Sequence, residues 1–162
     1  MPSKEPVNAS KKKPSGKSTV DKPSPEGTRI PTAMLPKELY ADIVRLAAYN
    51  KIKKAGPKND SAILREAIGA LLHHLRFSSE NLDILTTPKP SYIKALANVH
   101  QKAELEGGIR KTFSISVADF EEIDALASYN KFHGLLPKNI SQVCRDALTF
   151  YIENIDYTFR PE

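Results

Sequence analysis

The chain has 162 residues, a formal charge of +5 and a sequence pI near 9.2, with 40% hydrophobic residues and one cysteine. That length suits one compact domain or two very small ones. Cys144 alone excludes an intramolecular disulfide and fits a reducing cytosol, and no apolar run approaches the ~20 residues of a membrane span. Nor does the N-terminus have the apolar core of a signal peptide, so a cytoplasmic protein with no membrane partner is expected. Basic residues are unevenly placed: residues 1–27 hold six Lys against three acids, residues 28–77 nine Lys/Arg against four, and residues 109–162 six against eight. Such an excess leans toward a polyanionic partner, although solvated lysines on a soluble protein would give the same total.

Residues 1–27 are rich in Lys, Ser and Pro and nearly free of large apolar side chains. They cannot bury enough surface to offset their ordering entropy, which predicts a disordered basic arm. The run Lys11-Lys12-Lys13 either touches phosphates or acts as a solubilising tail, and the sequence leaves both open. Residues 28–35 are expected to form a strand, although Pro31 lacks an N–H and puts the length of that strand in doubt. Pro36 suits the first turn of a helix whose apolar stripe is Leu39, Ile43, Val44, Leu46 and Ala47. Gly56 and Pro57 interrupt it. Asn59 caps a second helix with Ile63, Leu64, Ala67, Ile68, Leu71, Leu72 and Leu75 on the buried face. Residues 78–108 form a connector, with helical composition over 91–106 and a stop at Gly107-Gly108.

Residues 109–162 form a second unit. From Lys111 to Val117 polar and apolar residues alternate, which predicts a half-buried strand with Phe113, Ile115 and Val117 facing inward. Ser116 with Asp119 resembles a capping box, so the strand is expected to hand over there to a helix carrying Phe120, Ile123, Leu126 and Ala127. Gly134 and Pro137 end that helix. Asn139, with Gln142 three residues on, caps the next, whose buried face is Val143, Cys144, Ala147, Leu148, Tyr151, Ile152 and Ile155.

The two units are copies. AAYNK at 47–51 matches ASYNK at 127–131, and at the same offset of 80 PKN at 57–59 meets PKN at 137–139. Ser61 meets Ser141, Arg65 meets Arg145 and Ala67 meets Ala147. Thirteen of the 44 ungapped positions from 32 to 75 are identical, too many and too well placed for two generic amphipathic helix pairs. A lone strand followed by two helices leaves a strand edge open and a core half built. Two copies cure both faults if the strands pair antiparallel and the four helices close over the apolar face. The fold class expected is therefore mainly α with a two-stranded antiparallel β-ribbon.

This strand-first, two-helix order, with the Leu35-Pro36-Lys37-Glu38-Leu39 junction and the polar-capped second helix, resembles the ribbon-helix-helix family, to which the Arc and methionine repressors belong. The resemblance covers residues 28–77 and 109–156, and it implies two ribbon-helix-helix units in one chain, arranged as a pseudo-twofold domain. It also implies sequence-specific binding of double-stranded DNA by the ribbon in the major groove, which is wide enough to admit it. The non-core side of the ribbon then faces base edges. That side is Arg110, Thr112 and Ser114 in the second strand, and Ile30, Thr32 and Met34 in the first. Hydroxyls can donate or accept there, and methyl groups can meet thymine methyls. Solvent-facing polarity is the competing reading for Thr112 and Ser114, and packing on the connector for Ile30 and Met34. Arg29 joins the candidate base contacts and Lys111 the candidate phosphate contacts. The helix starts Lys58-Asn59-Asp60-Ser61 and Lys138-Asn139-Ile140-Ser141 are further phosphate candidates through Lys58, Asn59, Ser61, Lys138, Asn139 and Ser141, because free N–H groups and the dipole favour anions. Ordinary N-capping is the plainer role and is compatible with it. Asp60 weakens the first of these two clamps.

By analogy with the family, the role is plasmid-DNA processing as an accessory factor of the conjugative relaxosome, or transcriptional repression. A protein-interaction module, such as an antitoxin or partition adaptor, is the alternative. A bacterial, phage or plasmid origin, a monomeric functional unit and other DNA-processing proteins as further partners follow from the same analogy, while side-by-side assembly on DNA stays open. Catalysis has little to support it. His73 and His74 are adjacent rather than i, i+4, no Cys/His metal spacing or phosphate-binding glycine loop is present, and Cys144 aligns with Leu64 as a core thiol. No metal and no cofactor is expected.

Overall fold

The computed structural model describes residues 27–89 and 107–155, so most of the expected N-terminal arm and the connector helix lie outside the described residues. The elements run β1 (Thr28–Arg29), β2 (Thr32–Leu35), α1 (Lys37–Lys53), α2 (Asp60–Leu75), a 3-10 turn (Ser79–Asn81), β3 (Ile109–Thr112), β4 (Ile115–Ser116), α3 (Val117–Phe132) and α4 (Ile140–Asn154). The protein is thus mainly helical, with short antiparallel two-stranded ladders, β1 on β4 and β2 on β3.

Pro31 explains the break between the ladders. Its carbonyl accepts from the Phe113 N–H at 2.9 Å, but its ring nitrogen has no hydrogen with which to return the bond. Both ladders nevertheless keep one register. Thr28 pairs with Ser116 and Arg29 with Ile115. Beyond the break Thr32 pairs with Thr112, Ala33 with Lys111, Met34 with Arg110 and Leu35 with Ile109. Thr32 therefore faces its own counterpart at offset 80. The second strand begins earlier than its alternation suggested, at Ile109. It also ends earlier, because the Ser116 hydroxyl accepts from the Asp119 N–H at 3.1 Å and turns Val117 into the first residue of α3.

The inner face of the ribbon is Ala33, Leu35, Phe113 and Ile115, all fully buried. Above it the second helices, α2 and α4, pack on each other, with α4 across β2 and α2 against β4. The second helix of each copy thus lies on the strand of the other. Ile63, Leu64, Ala67 and Ile68 of α2 meet Val143, Cys144, Ala147 and Leu148 of α4 in a single core with Ile43, Leu46, Ile123 and Leu126 from the first helices. Val44, expected in the apolar stripe of α1, is 49% exposed, because the buried face of that helix is Leu39, Ile43, Leu46 and Asn50.

Residues shared by the two copies make matching polar contacts. The Asn50 side-chain amide donates to the Pro57 carbonyl at 2.7 Å, and that of Asn130 to the Pro137 carbonyl at 3.0 Å. Both asparagines are buried. Their role is to latch the turn between the paired helices. Gly56 packs against this latch with φ +65°, and a Cβ there would fall 2.9 Å from the Asn50 Nδ2. The connector begins by docking on α3: the Glu122 carboxylate accepts from the Ser79 N–H at 3.1 Å, the Tyr129 hydroxyl donates to the Thr86 carbonyl at 3.1 Å, and Phe77 meets the Tyr129 ring edge-on.

Candidate nucleic-acid interface

Strand alternation turns six side chains away from the core. Met34 stands opposite Arg110, and Thr32 opposite Thr112 with their hydroxyl oxygens 3.5 Å apart. The same register continued across the break sets Ile30 opposite Ser114. Thr32, Arg110 and Thr112 are exposed, Met34 and Ser114 half-buried, and Ile30 is 67% exposed. All the outward positions named from sequence therefore share one face.

Arg29 is exposed but belongs to the other phase of the strand, opposite the buried Ile115, and its guanidinium lies 3.4 Å from the Thr28 carbonyl. It extends from the end of the ribbon rather than standing on its outer face. Lys111 also sits in the inner phase, opposite Ala33. Its stem carries the ammonium to the ribbon edge, where it meets an Asp60 carboxylate oxygen at 2.7 Å and lies 5.8 Å from the centre of the Tyr40 ring. The hydrogen bond from Lys111 to Asp60 raises the lysine pKa above its ordinary value, against a smaller opposing effect of burial. Asp60 opens α2, so this pair places a compensated charge at the start of that helix. At the corresponding position α4 has Ile140, and its first turn carries no acid.

The start of each second helix grips the strand of the other copy. The Ser114 N–H donates to the Ser61 hydroxyl at 2.8 Å, and the Met34 N–H to the Ser141 hydroxyl at 3.1 Å. Arg65 donates through Nε to the Ser114 carbonyl at 3.3 Å, and Arg145 through Nη1 to the Met34 carbonyl at 2.6 Å. These contacts satisfy edge groups that a two-stranded ribbon would otherwise leave open. They also fix Met34 and Ser114, which are counterparts at offset 80. Ser61 and Ser141, expected to meet phosphates, thus already hold the ribbon through their hydroxyl oxygens. Both arginines reach the facing copy, each through a strand carbonyl rather than an acidic side chain.

The caps themselves are formed as the sequence suggested. The Asn59 side chain accepts from the Ala62 N–H and that of Asn139 from the Gln142 N–H, each at 2.9 Å. The Gln142 side chain in turn accepts from the Lys138 N–H at 2.8 Å. Lys58 and Lys138 are exposed beside their caps, with the Lys58 ammonium 3.2 Å from the Gly56 carbonyl. Where α4 begins, Met34, Gly107, Gly108, Asn139 and Ser141 line a cleft of about 320 Å³ beside the outer face. The positive end of α4 opens toward it.

Cys144 is buried, and desolvation pushes its thiol up to about 12, with a smaller opposing effect of Arg145. It is a neutral packing group at physiological pH. Among the described residues, no helix is long and apolar enough to cross a membrane. Comparisons with protein-family models, curated proteins and solved structures found no match.

Proposed function

We propose that the chain is a single-chain tandem ribbon-helix-helix protein that binds double-stranded DNA by laying the outer face of its ribbon in the major groove. The observation that carries this reading is the register. It brings Thr32, Met34, Arg110 and Thr112 onto one face, centred on a residue and its own counterpart, and a second-helix start flanks each side. A groove about 12 Å wide admits such a ribbon. Thr and Ser hydroxyls and the Arg110 guanidinium supply donors and acceptors for base edges. Lys58, Lys138 and the two capped helix starts supply sequence-independent attraction for phosphates. Residue 27 lies beside the start of α3, where its carbonyl accepts from the Val117 N–H at 3.0 Å. In this reading the protein acts in plasmid-DNA processing or as a repressor, from the cytoplasm and as one chain per site.

The test is an anisotropy titration of labelled duplex at two salt concentrations, with and without nonspecific competitor. Thr112→Ala combined with Ser114→Ala should erode sequence preference. Lys138→Ala should weaken all duplexes alike and flatten the salt slope by about one unit. Failure of the full chain to bind any duplex at low salt would remove the reading, and would favour a protein partner for the exposed ribbon instead.

A further inference from the structure

The two halves of the outer face, related by the offset of 80, do not carry the same chemistry. On one side of the Thr32–Thr112 pair stand Met34 and Arg110, paired directly across the ladder. On the other stand Ile30 and Ser114. The helix starts grip the strands alike on both sides, since Ser141 holds Met34 as Ser61 holds Ser114. Apart from the ladder bond that Pro31 leaves out on the Ile30 side, the difference lies in the side chains. An exposed guanidinium is the one group among these six that can bond two guanine acceptors at once, O6 and N7. Ile30 can offer a groove only apolar contact, which suits a thymine methyl, and the Ser114 hydroxyl accepts either kind of partner.

A second difference lies beside the same halves. The helix start next to Met34, at Asn139 to Ser141, has no acidic residue in its first turn. The start next to Ser114, at Asn59 to Ser61, carries Asp60 held by Lys111 at 2.7 Å. Guanine reading and an uncompensated helix start therefore fall on one side of the axis.

We infer that the interface is directional: it recognises a non-palindromic duplex with a guanine contact confined to the half-site under Met34 and Arg110, and it docks in one orientation. This rests on the DNA-binding reading above. Losing that guanine contact should lower affinity roughly ten- to a hundredfold, the discrimination given by one bidentate pair. A matching change in the other half-site should not.

The experiment is selection of binding sites from a randomised duplex pool by the full chain and by the variant Ile30→Arg plus Ser114→Met, which gives both halves the same outward residues. Wild type is expected to enrich a non-palindromic consensus with guanine in one half. The variant is expected to enrich a palindrome with guanine in both halves. A palindromic consensus for wild type overturns the directional inference and leaves DNA binding intact, whatever the variant does. Absence of any enrichment by wild type overturns the DNA reading itself and the inference with it. A non-palindromic wild-type consensus that lacks guanine overturns the role given to Arg110.

Discussion

Exchanging Ala33 and Phe113 tests how the two copies share one core. The two positions are counterparts at offset 80, and both side chains are fully buried on the inner face of the ribbon. Ala33 pairs with Lys111 and Phe113 accompanies Pro31, so they sit diagonally across the ladder, roughly 7–8 Å apart, within reach of an aromatic ring. A symmetric pair of subunits would carry two Phe or two Ala there. This chain carries one of each, and the ring occupies space that two rings would overfill. Phe113→Ala should cost about 3–5 kcal/mol through lost burial and a cavity. Ala33→Phe should cost about 1–3 kcal/mol by overpacking. If the sites were independent, the double exchange would cost roughly 4–8 kcal/mol. Because the new ring at position 33 can refill the space vacated at 113, the double variant should cost no more than Phe113→Ala alone. Urea-unfolding midpoints of the four proteins, compared at constant m-value, give the coupling directly. Additivity within about 0.5 kcal/mol would refute the shared space and the register on which it depends.

Three further outcomes are expected. Lys54 ends α1 in the left-handed conformation, φ 55°, where its counterpart Gly134 has φ 71°; Lys54→Gly should raise stability by a few tenths to about 1 kcal/mol, read by calorimetry, and a loss of stability would contradict the strain assigned there. Lys111 has a raised pKa in the folded state, so the stabilisation from its pair with Asp60 is fully present below the unfolded value of 10.5 and is lost as pH rises through the folded value. Asp60→Asn should flatten that alkaline limb in thermal melts, and, with Lys111 released, steepen the salt dependence of DNA binding by about one unit. Cys144, with its thiol raised to about 12, should resist a disulfide reagent at neutral pH in the native protein and react at the rate of unfolding; immediate reaction would contradict its burial.

The internal repeat made much of this architecture legible. Apolar spacing, caps and breakers marked the two helices of each copy and offset 80 matched them, and the alternation of Thr112, Phe113, Ser114 and Ile115 assigned the outer and inner faces of the second strand. What alternation could not supply was register. Any slip by two residues keeps the same side chains outward, so the pairing of Thr32 with Thr112 emerged only from the packed helices. Pro31 announced a defect, yet its consequence, a ladder split at one missing donor with the register kept, depends on the carbonyl that Phe113 finds there. Ser61 and Ser141 are phosphate candidates in the sequence because they follow N-caps. Their bonds to Ser114 and Met34 join residues 53 and 107 positions apart, a link no local pattern carries. Lys111 and Asp60 likewise meet only once the second helix of one copy lies on the strand of the other. Asn50 and Asn130 were conspicuous as identities, but their latch on Pro57 and Pro137 required the turn to be seen closed.

Photocrosslinking to duplex DNA from a single reactive side chain tests the central claim most directly. Introduced at Thr112 on the outer face, the probe should crosslink to duplex and be suppressed by a specific competitor. Introduced at Glu80, an exposed residue beyond the far end of α2, it should give none. Crosslinks from position 80 with none from 112 would contradict the account, because the outer face of the ribbon would then not be the surface that meets DNA.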